Sequence, residues 1–164
     1  LRPFKGLSTE AFEKDFQINV TGAINSLKAV LSRLSASGNA SVVFFSTVAV
    51  QTGMPFHSSV AASKGALEGL TRSLAAEFAP KIRVNAICPG TIKGDRMVRV
   101  IRDKSKFLKI SKKKIEKEFI SMASMNCWIY EEDIGKTCSF LMSDDAERVS
   151  GQIIAVDGNA IRLD

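Results

Sequence analysis

The sequence predicts an α/β fold, because short apolar strands alternate with long helices along the chain. Three segments rich in β-branched and apolar residues read as strands, 41–46, 82–87 and 151–156, and the first has the pattern of a strand buried on both faces. In the segments around them, apolar residues recur every three or four positions, which is typical of helices with one buried face. This alternation favours βαβ units and a doubly wound parallel sheet. Three strands leave a long open edge, so we expect only one half of such a sheet in this chain.

The first helix is expected to begin near Ser8 or Thr9, since both residue types are common N-caps and Glu10 suits the positive end of the helix dipole. Apolar residues then follow at intervals of three or four up to position 34, which predicts a long helix with one buried stripe. Asn19 lies on this stripe, three residues after Phe16. A buried amide needs a hydrogen-bond partner. Asn19 therefore either holds a specific group or bonds a nearby backbone carbonyl.

A second long helix is predicted over 56–78 and is ended by Pro80. Near its start stand His57, Val60 and Lys64, which are three and four residues apart and therefore share one face of the helix. A lone lysine on a helix is ordinarily a solvated charge, and a lone histidine at this place ordinarily caps or opens the helix. The pattern alone does not separate these interpretations from a functional site.

The bulk composition is that of one ordinary soluble domain. The chain has 164 residues, of which 45% are hydrophobic and 24% charged, and it has no apolar run of the roughly 20 residues that a membrane span needs. Its three cysteines show no CxxC spacing, which favours buried thiols in a reducing compartment over disulfides or a metal site. We expect a cytoplasmic protein without a metal and without a membrane partner. The chain begins with Leu1 rather than methionine, which suggests that an earlier part is missing.

Most of the positive charge lies in the segment 93–117, where eleven Lys or Arg and three acidic residues give a net +8, whereas the whole chain carries +6. We expect this segment to be partly helical and a further helix to cover 131–142. The charges either attract an acidic substrate or form a solvated face. Nucleic acid is not favoured as a partner, because Phe107 is the only aromatic residue in the run and no recognised binding module is present.

Taken in order, the motifs of the chain resemble those of the short-chain dehydrogenase/reductase family. Asn19, Thr47 and Lys64 occur in the family order, and they are followed by "RVNAICPG" and a closing "SGQIIAVDG". The 28 residues from Asn19 to Thr47 and the 13 from Thr47 to Val60 match the family intervals from asparagine to serine and from serine to tyrosine. The resemblance covers nearly the whole chain. It implies a Rossmann-like fold, of which residues 1–164 form the C-terminal part without the strands that bind the cofactor phosphates.

The resemblance also implies roles for individual residues. Asn19 corresponds to the asparagine that supports a water relay to the lysine, and Thr47 to the serine that hydrogen-bonds the substrate carbonyl. Lys64 corresponds to the lysine that binds the nicotinamide ribose and lowers the pKa of the neighbouring phenol. The turn that lies beside the nicotinamide corresponds to Pro89, Gly90 and Ile92. The cofactor is then NAD or NADP, and the substrate is a small carbonyl compound or secondary alcohol.

Three departures from the family pattern concern catalysis. The YxxxK pair becomes Val60-xxx-Lys64, so the proton-donating tyrosine is absent, and the only tyrosine, Tyr130, has no evident link to this site. The threonine of the PGxxxT motif, which contacts the cofactor carboxamide, is replaced by Gly94. The glycine-rich phosphate loop TGxxxGxG is missing. His57 lies one turn before Val60 and is our candidate for a surrogate acid, because imidazole titrates near neutrality.

Two classes of function remain open on the sequence. One is an NAD(P)-dependent oxidoreductase with a degenerate active site, which exchanges hydride between the nicotinamide and a carbonyl or secondary alcohol. The other is a catalytically inactive family member that serves as a binding or oligomerisation scaffold. By resemblance we expect a homo-oligomer, a dimer or tetramer, in which long helices pack across the interface. Gly65 and Gly69 on the second long helix suit such close packing, or equally an ordinary contact within the chain.

Overall fold

The computed structural model describes residues 3–160, and it contains a parallel three-stranded sheet with helices on both faces. The strands are β1 (Ala40–Phe45), β2 (Ile82–Pro89) and β3 (Ile153–Val156), in that spatial order. Apart from single-turn 3-10 segments, the helices are α1 (Thr9–Phe16), α2 (Gly22–Ser37), α3 (Ala49–Thr52), α4 (Ser58–Phe78), α5 (Asp95–Leu108), α6 (Lys112–Ile120) and α7 (Glu131–Met142). The predicted α/β class with a parallel sheet is confirmed.

The predicted first helix is continuous but not regular. A π-helical turn, Gln17–Thr21, joins α1 to α2, and Asn19 lies within it. Sequence periodicity did not indicate this turn, which is a rare single-turn feature within α-helices. The helix begins at Thr9 with Ser8 at the N-cap position, as expected, but the Ser8 side chain makes no capping hydrogen bond. The start of the helix was therefore predicted correctly, but side-chain capping by Ser8 is not the reason for it.

The first strand differs from its prediction in burial. It pairs only with β2 in the described sheet, in a register that sets Val42 opposite Val84. Ala40 and Phe44 are buried, but Phe45 is 44% exposed. Burial on both faces was thus wrong for the end of this strand, because Phe45 stands at an edge that no other described element covers. In contrast, every residue of β2 up to Cys88 is buried, as suits a central strand.

The second long helix begins two residues later than predicted. Phe56 adopts a left-handed backbone with φ 66°, which no helical residue can have, and His57 takes the N-cap position. The segment 93–117 is partly helical as expected, because α5 and α6 cover most of it. The predicted helix 131–142 coincides with α7. No helix of the described residues is both long and apolar enough to cross a bilayer.

Alternate side chains of the strands enter two apolar clusters on opposite faces of the sheet. On one face, Ile82, Val84 and Ala86 pack with residues of α2 and α4. On the other face, Ile87 packs with Ile134 and Leu141 of α7, among other residues. The cluster under α4 is the one that matters for function, because it fixes this helix against the carboxyl ends of β1 and β2.

Candidate active site

Thr47 lies directly beyond the end of β1 and is half-buried. Its hydroxyl oxygen accepts a 3.3 Å hydrogen bond from the backbone N–H of Ala49. The next residue, Val48, donates its N–H to the Pro89 carbonyl at 3.3 Å, which joins the loop after β1 to the end of β2. Because the Thr47 O–H remains a free donor in this arrangement, it can hydrogen-bond an oxygen atom of a ligand.

Lys64 lies in the second turn of α4 and its ammonium turns back to β1. The Nζ atom donates a 2.7 Å hydrogen bond to the carbonyl of Phe45. Partial burial lowers the pKa of the Lys64 ammonium, since desolvation disfavours its charged form. One of its three N–H groups is occupied by Phe45, and two remain for ligand hydroxyls. The alternative of an ordinary solvated lysine is therefore not supported by the geometry.

His57 opens α4 without capping it. Its Nδ1 lies 2.7 Å from the Pro55 carbonyl, and its side chain makes no hydrogen bond to the helix N–H groups. Because a carbonyl oxygen only accepts, Nδ1 carries a proton and Nε2 is the nitrogen left for a ligand. In the neutral ring Nε2 has no proton, so His57 can donate one from Nε2 only as the imidazolium.

Asn19 connects the first helix to α4. Its amide Nδ2 donates to the carbonyl of Asp15 at 2.9 Å and lies 3.4 Å from the hydroxyl of Ser63 on α4. The local backbone bond that the sequence left open is therefore present, together with a contact to the helix that carries Lys64. The water relay implied by the family resemblance stays a prediction.

The turn after β2 approaches the end of β3 so closely that only glycine fits. A Cβ at Gly90 would come 2.7 Å from the Cα of Asp157, and the Gly90 N–H donates to the Val156 carbonyl at 3.0 Å. Ile92 forms an isolated parallel bridge with Ile129, just before α7. The positions that resemble the nicotinamide-side turn are therefore held rigidly by the two strands and by the segment that leads into α7.

Two open cavities meet at this site. The first cavity, of about 830 Å³, is lined by the loop after β1, residues 90–97 and the start of α7. The second cavity, of about 640 Å³, lies between α1, the start of α4 and the start of α5. Thr47, His57 and Arg96 line both cavities, whereas Val60 and Lys64 line the second. The structure thus brings three of the four predicted catalytic residues to one pair of cavities, and Asn19 stands behind them.

Tyr130 corrects one inference from the sequence. We found no link between it and the site, yet its side chain lines the first cavity together with Thr47 and His57. It stands at the N-cap position of α7, and its backbone N–H donates to Asp133 at 2.9 Å. The residues between Thr47 and Tyr130 fold back through β2, which the spacing along the sequence did not reveal.

A buried carboxylate lies beneath the site and was missed. Glu68 is only 5% exposed, and its Oε1 accepts hydrogen bonds from the Ser46 hydroxyl at 2.7 Å and from the Cys88 thiol at 3.4 Å. Burial is the main cause that raises the pKa of Cys88 to about 11. Glu68 follows Lys64 by four residues, so its place on the face of the lysine was the signal that could have revealed it.

No metal site accompanies these residues. Within residues 3–160, no group of three or more His, Cys, Asp or Glu side chains is placed to hold a metal ion.

Comparisons with known proteins bear on the family and the fold of the chain. A family model described as Enoyl-(Acyl carrier protein) reductase matches residues 1–159. Dehydrogenase/reductase SDR family member 4 of Mus musculus is 35% identical over 164 residues, which cover 96% of this chain and 55% of that protein. Inactive 2-(S)-hydroxypropyl-CoM dehydrogenase 2 of Xanthobacter autotrophicus is 33% identical over 150 residues, 91% of this chain and 63% of that protein. The solved structure of ElxO with NADP bound superposes with a TM-score of 0.82 at 25% identity, covering 95% of this chain and 60% of that one.

The chain belongs to the short-chain dehydrogenase/reductase family, as its motifs suggested. The family model covers nearly all of it, and relatives of more than 30% identity align over nine-tenths of its length or more. The chain spans between 55% and 63% of the length of these curated relatives. The Rossmann-like fold class is thereby confirmed, whereas the role of each site residue in this chain stays a prediction.

Proposed function

We propose that this chain forms the substrate-side part of an NAD(P)-dependent oxidoreductase that interconverts a carbonyl compound and a secondary alcohol. The observation that carries the proposal is the convergence of Thr47, His57 and Lys64 on two adjoining cavities beyond the ends of parallel strands, where ligands of open α/β sheets bind. The family of the chain, whose members include a structure with NADP bound, supports the same reaction class.

The residues present fit one part of the cofactor. Lys64 keeps two N–H groups for the ribose hydroxyls, and Gly90 lines the first cavity together with Thr47. When bound, the nicotinamide supplies or accepts the hydride. The sequence has no TGxxxGxG loop for the phosphates. In this proposal residues 1–164 are therefore the C-terminal part of one Rossmann-like domain. The phosphate-binding strands correspond to the part of the longer relatives that this chain does not cover.

The proposed roles follow from the donors available. Thr47 donates a hydrogen bond from its hydroxyl to the substrate oxygen, keeps its proton and orients the carbonyl. His57, as imidazolium, donates the proton from Nε2 to the same oxygen during reduction and recovers it in the reverse reaction, while Pro55 holds the ring through Nδ1. Asn19 positions the start of α4 through Ser63. The product alcohol thus gains one hydride on carbon and one proton on oxygen.

A second candidate function is a family member without turnover. The observation that favours it is Val60, whose apolar side chain lines the second cavity where the family tyrosine would donate a proton. One relative of 33% identity is itself named inactive. Such a protein would still bind a ligand or a second copy, because the fold and cavities do not depend on the missing phenol.

The decisive experiment measures cofactor binding and turnover separately. Full-length protein is titrated with NADH and NADPH by calorimetry, and reduction of a ketone panel is followed at 340 nm. We expect binding of one cofactor and slow turnover that His57→Gln reduces about tenfold or more, since general acids contribute roughly 10²–10⁴-fold. Arg99→Gln is the control, because Arg99 is exposed and lines neither cavity. Cofactor binding without turnover in any variant would favour the scaffold, and equal rates for His57→Gln and the unaltered protein would remove His57 as the acid.

Three further features are proposed: the oligomeric state, the compartment and the role of segment 93–117. A homo-oligomer across the α4 face is proposed from family membership and from Gly69, whose exposed position has no atom within 4 Å of an added Cβ. A reducing compartment such as the cytoplasm suits the three free cysteines. The positive segment carries two short ion pairs, Arg102–Asp103 and Lys104–Glu118, and otherwise suits a solvated face.

A further inference from the structure

The two cavities differ in the charges that line them. In the first cavity, the cations Lys93 and Arg96 stand among three carboxylates, those of Asp95, Glu131 and Glu132. This wall has no excess of positive charge, so it offers an anion no general attraction.

The second cavity has the opposite balance. Lys14 from α1, Lys64 from α4 and Arg96 from α5 line it, and Asp15 is the one carboxylate of its wall. With His57 neutral, these side chains sum to +2. The three cations come from three different helices, so the positive wall results from the tertiary fold and not from a run of basic residues in the sequence.

Two of these cations have no carboxylate partner in the part of the chain that the structure describes. The ion pairs there join Arg102 to Asp103, Lys104 to Glu118 and Arg148 to Glu147. Neither Lys14 nor Arg96 takes part in one. The Lys64 ammonium bonds a carbonyl, which leaves its charge uncompensated. Unpaired cations around a cavity raise the local concentration of anions and bind them through charge-assisted hydrogen bonds.

The second cavity also has an apolar part. Its apolar lining residues are Leu7, Ala11, Phe56 and Val60, and the neutral polar residues Thr47 and Ser59 lie beside them with His57. A ligand that fits it has an apolar body and one anionic end. Arginine is suited to that end, because its planar guanidinium binds two oxygens of a carboxylate in parallel.

We infer that the substrate of this site is an anionic carbonyl compound, one with a carboxylate or similar oxyanion group on an apolar body, and that Arg96 and Lys14 select it. The inference rests on the proposed function, since it concerns the same site. Arg96 is the principal determinant because it lines both cavities beside Thr47 and His57, so it can hold the charged end while the carbonyl lies at the Thr47 hydroxyl.

The test compares three aryl ketone acids with their methyl esters: phenylglyoxylate, benzoylacetate and 4-acetylbenzoate. The acids and esters differ in charge but share their carbonyl and ring. Binding is measured by calorimetry on the full-length protein, with and without NADPH, and turnover is measured on the same samples. The variants are Arg96→Gln, Lys14→Gln and the control Arg99→Gln, which removes an exposed cation of α5 that lines neither cavity.

We expect at least one acid to bind about tenfold or more tightly than its ester, because hydrogen bonds to charged groups exceed this difference. Arg96→Gln should remove most of that preference, Lys14→Gln part of it, and Arg99→Gln none. Acid binding that depends on Arg96 but leads to no turnover would support the anion site and contradict the oxidoreductase proposal. Turnover of esters as efficient as that of acids, or equal effects of Arg96→Gln and Arg99→Gln, would overturn the inference and leave the oxidoreductase proposal standing.

Discussion

Two parts of α4 differ in what they contact: residues 57–64, which include the N-cap and are called the first half, and residues 65–78, called the second half. In the first half, His57, Val60 and Lys64 are half-buried and face the cavities. In the second half, Leu67 is 3% exposed and Thr71 is fully buried, and the helix packs against the strands. The second half therefore stabilises the fold, and the first half presents side chains to a ligand.

Motif spacing predicts that Val60 stands where the family has tyrosine, and the difference between the two halves explains why a valine there is compatible with the fold. The Val60 side chain lines an open cavity, so its identity has little effect on the apolar cluster under α4. A change in the second half would instead disturb packing against β1 and β2. Substitutions in the first half should therefore alter chemistry with little change in stability, and substitutions in the second half should do the reverse.

The largest effect is expected from Val60→Tyr. A phenol here stands one turn before Lys64, whose ammonium favours the ionised form of the phenol. The phenol adds a second general acid to the proposed acid His57. We expect kcat/KM for ketone reduction to rise about 10²–10⁴-fold, with the free energy of unfolding changed by less than about 0.5 kcal/mol. The control is Val60→Phe, which adds the ring without the hydroxyl. Equal rates for the Tyr and Phe variants would show that the phenol proton is not what the site lacks.

A substitution at Glu68 tests the second half. Glu68→Leu removes the acceptor of the buried Cys88 thiol and leaves the Ser46 hydroxyl only its long 3.5 Å contact with the Lys64 carbonyl. We expect it to lower the free energy of unfolding by about 1–3 kcal/mol. Glu68→Gln keeps an oxygen acceptor and should cost less. Urea unfolding followed by circular dichroism gives both values. A Leu variant as stable as the Gln variant would mean that these two hydrogen bonds contribute nothing to the fold.

The sequence predicted those features that depend on local pattern. Apolar periodicity identified α7 at its observed bounds and all three strands within two residues. Motif spacing predicted Thr47 and Lys64 as site residues, and both line the second cavity, while their roles stay predictions. The features that it missed depend on contacts across the fold. Tyr130 reaches the first cavity only after β2 has brought its segment back to Thr47, and no local spacing encodes that return.

The errors have the same origin. A glutamate on a helix is ordinarily exposed to solvent. The burial of Glu68 follows from the packing of α4 on the ends of β1 and β2. The exposure of Phe45 follows from which strands lie beside β1, which the pattern of one strand does not contain. The charge balance of the second cavity likewise depends on three helices meeting, and not on the basic run in the sequence.

Two ionisable groups, the Cys88 thiol and the Lys64 ammonium, should change the free energy of unfolding in opposite directions as pH rises. The pKa of Cys88 is raised to about 11 from 9.0, so between these values the folded state holds more protons than the unfolded state and stability falls as pH rises. The pKa of Lys64 is lowered from 10.5, so its contribution to stability rises with pH below that value.

Comparison with Cys88→Ala isolates the thiol, because both proteins share Lys64. From pH 8.5 to 10.5 in the presence of a reductant, we expect the unaltered protein to lose about 1–2 kcal/mol of unfolding free energy more than Cys88→Ala does. Urea midpoints at the two pH values provide the measurement. Parallel pH dependences in the two proteins would mean that the thiol at Cys88 is not protected from ionisation by the fold.

The smallest effect concerns the outer face of α4. Gly69 is exposed in its second half with no atom within 4 Å of an added Cβ, whereas a Cβ at Gly65 would meet Val50 at 3.6 Å. Gly69→Ala should therefore stabilise the helix of the isolated chain by about 0.5–1 kcal/mol, since alanine loses less backbone entropy. If the same face packs closely against a second copy, the added methyl group must weaken that contact. We expect dilute Gly69→Ala to unfold at higher urea and to sediment with a larger monomer fraction than the unaltered protein. A stabilised variant with unchanged self-association would exclude the Gly69 face from the interface and leave the small residue with no packing role.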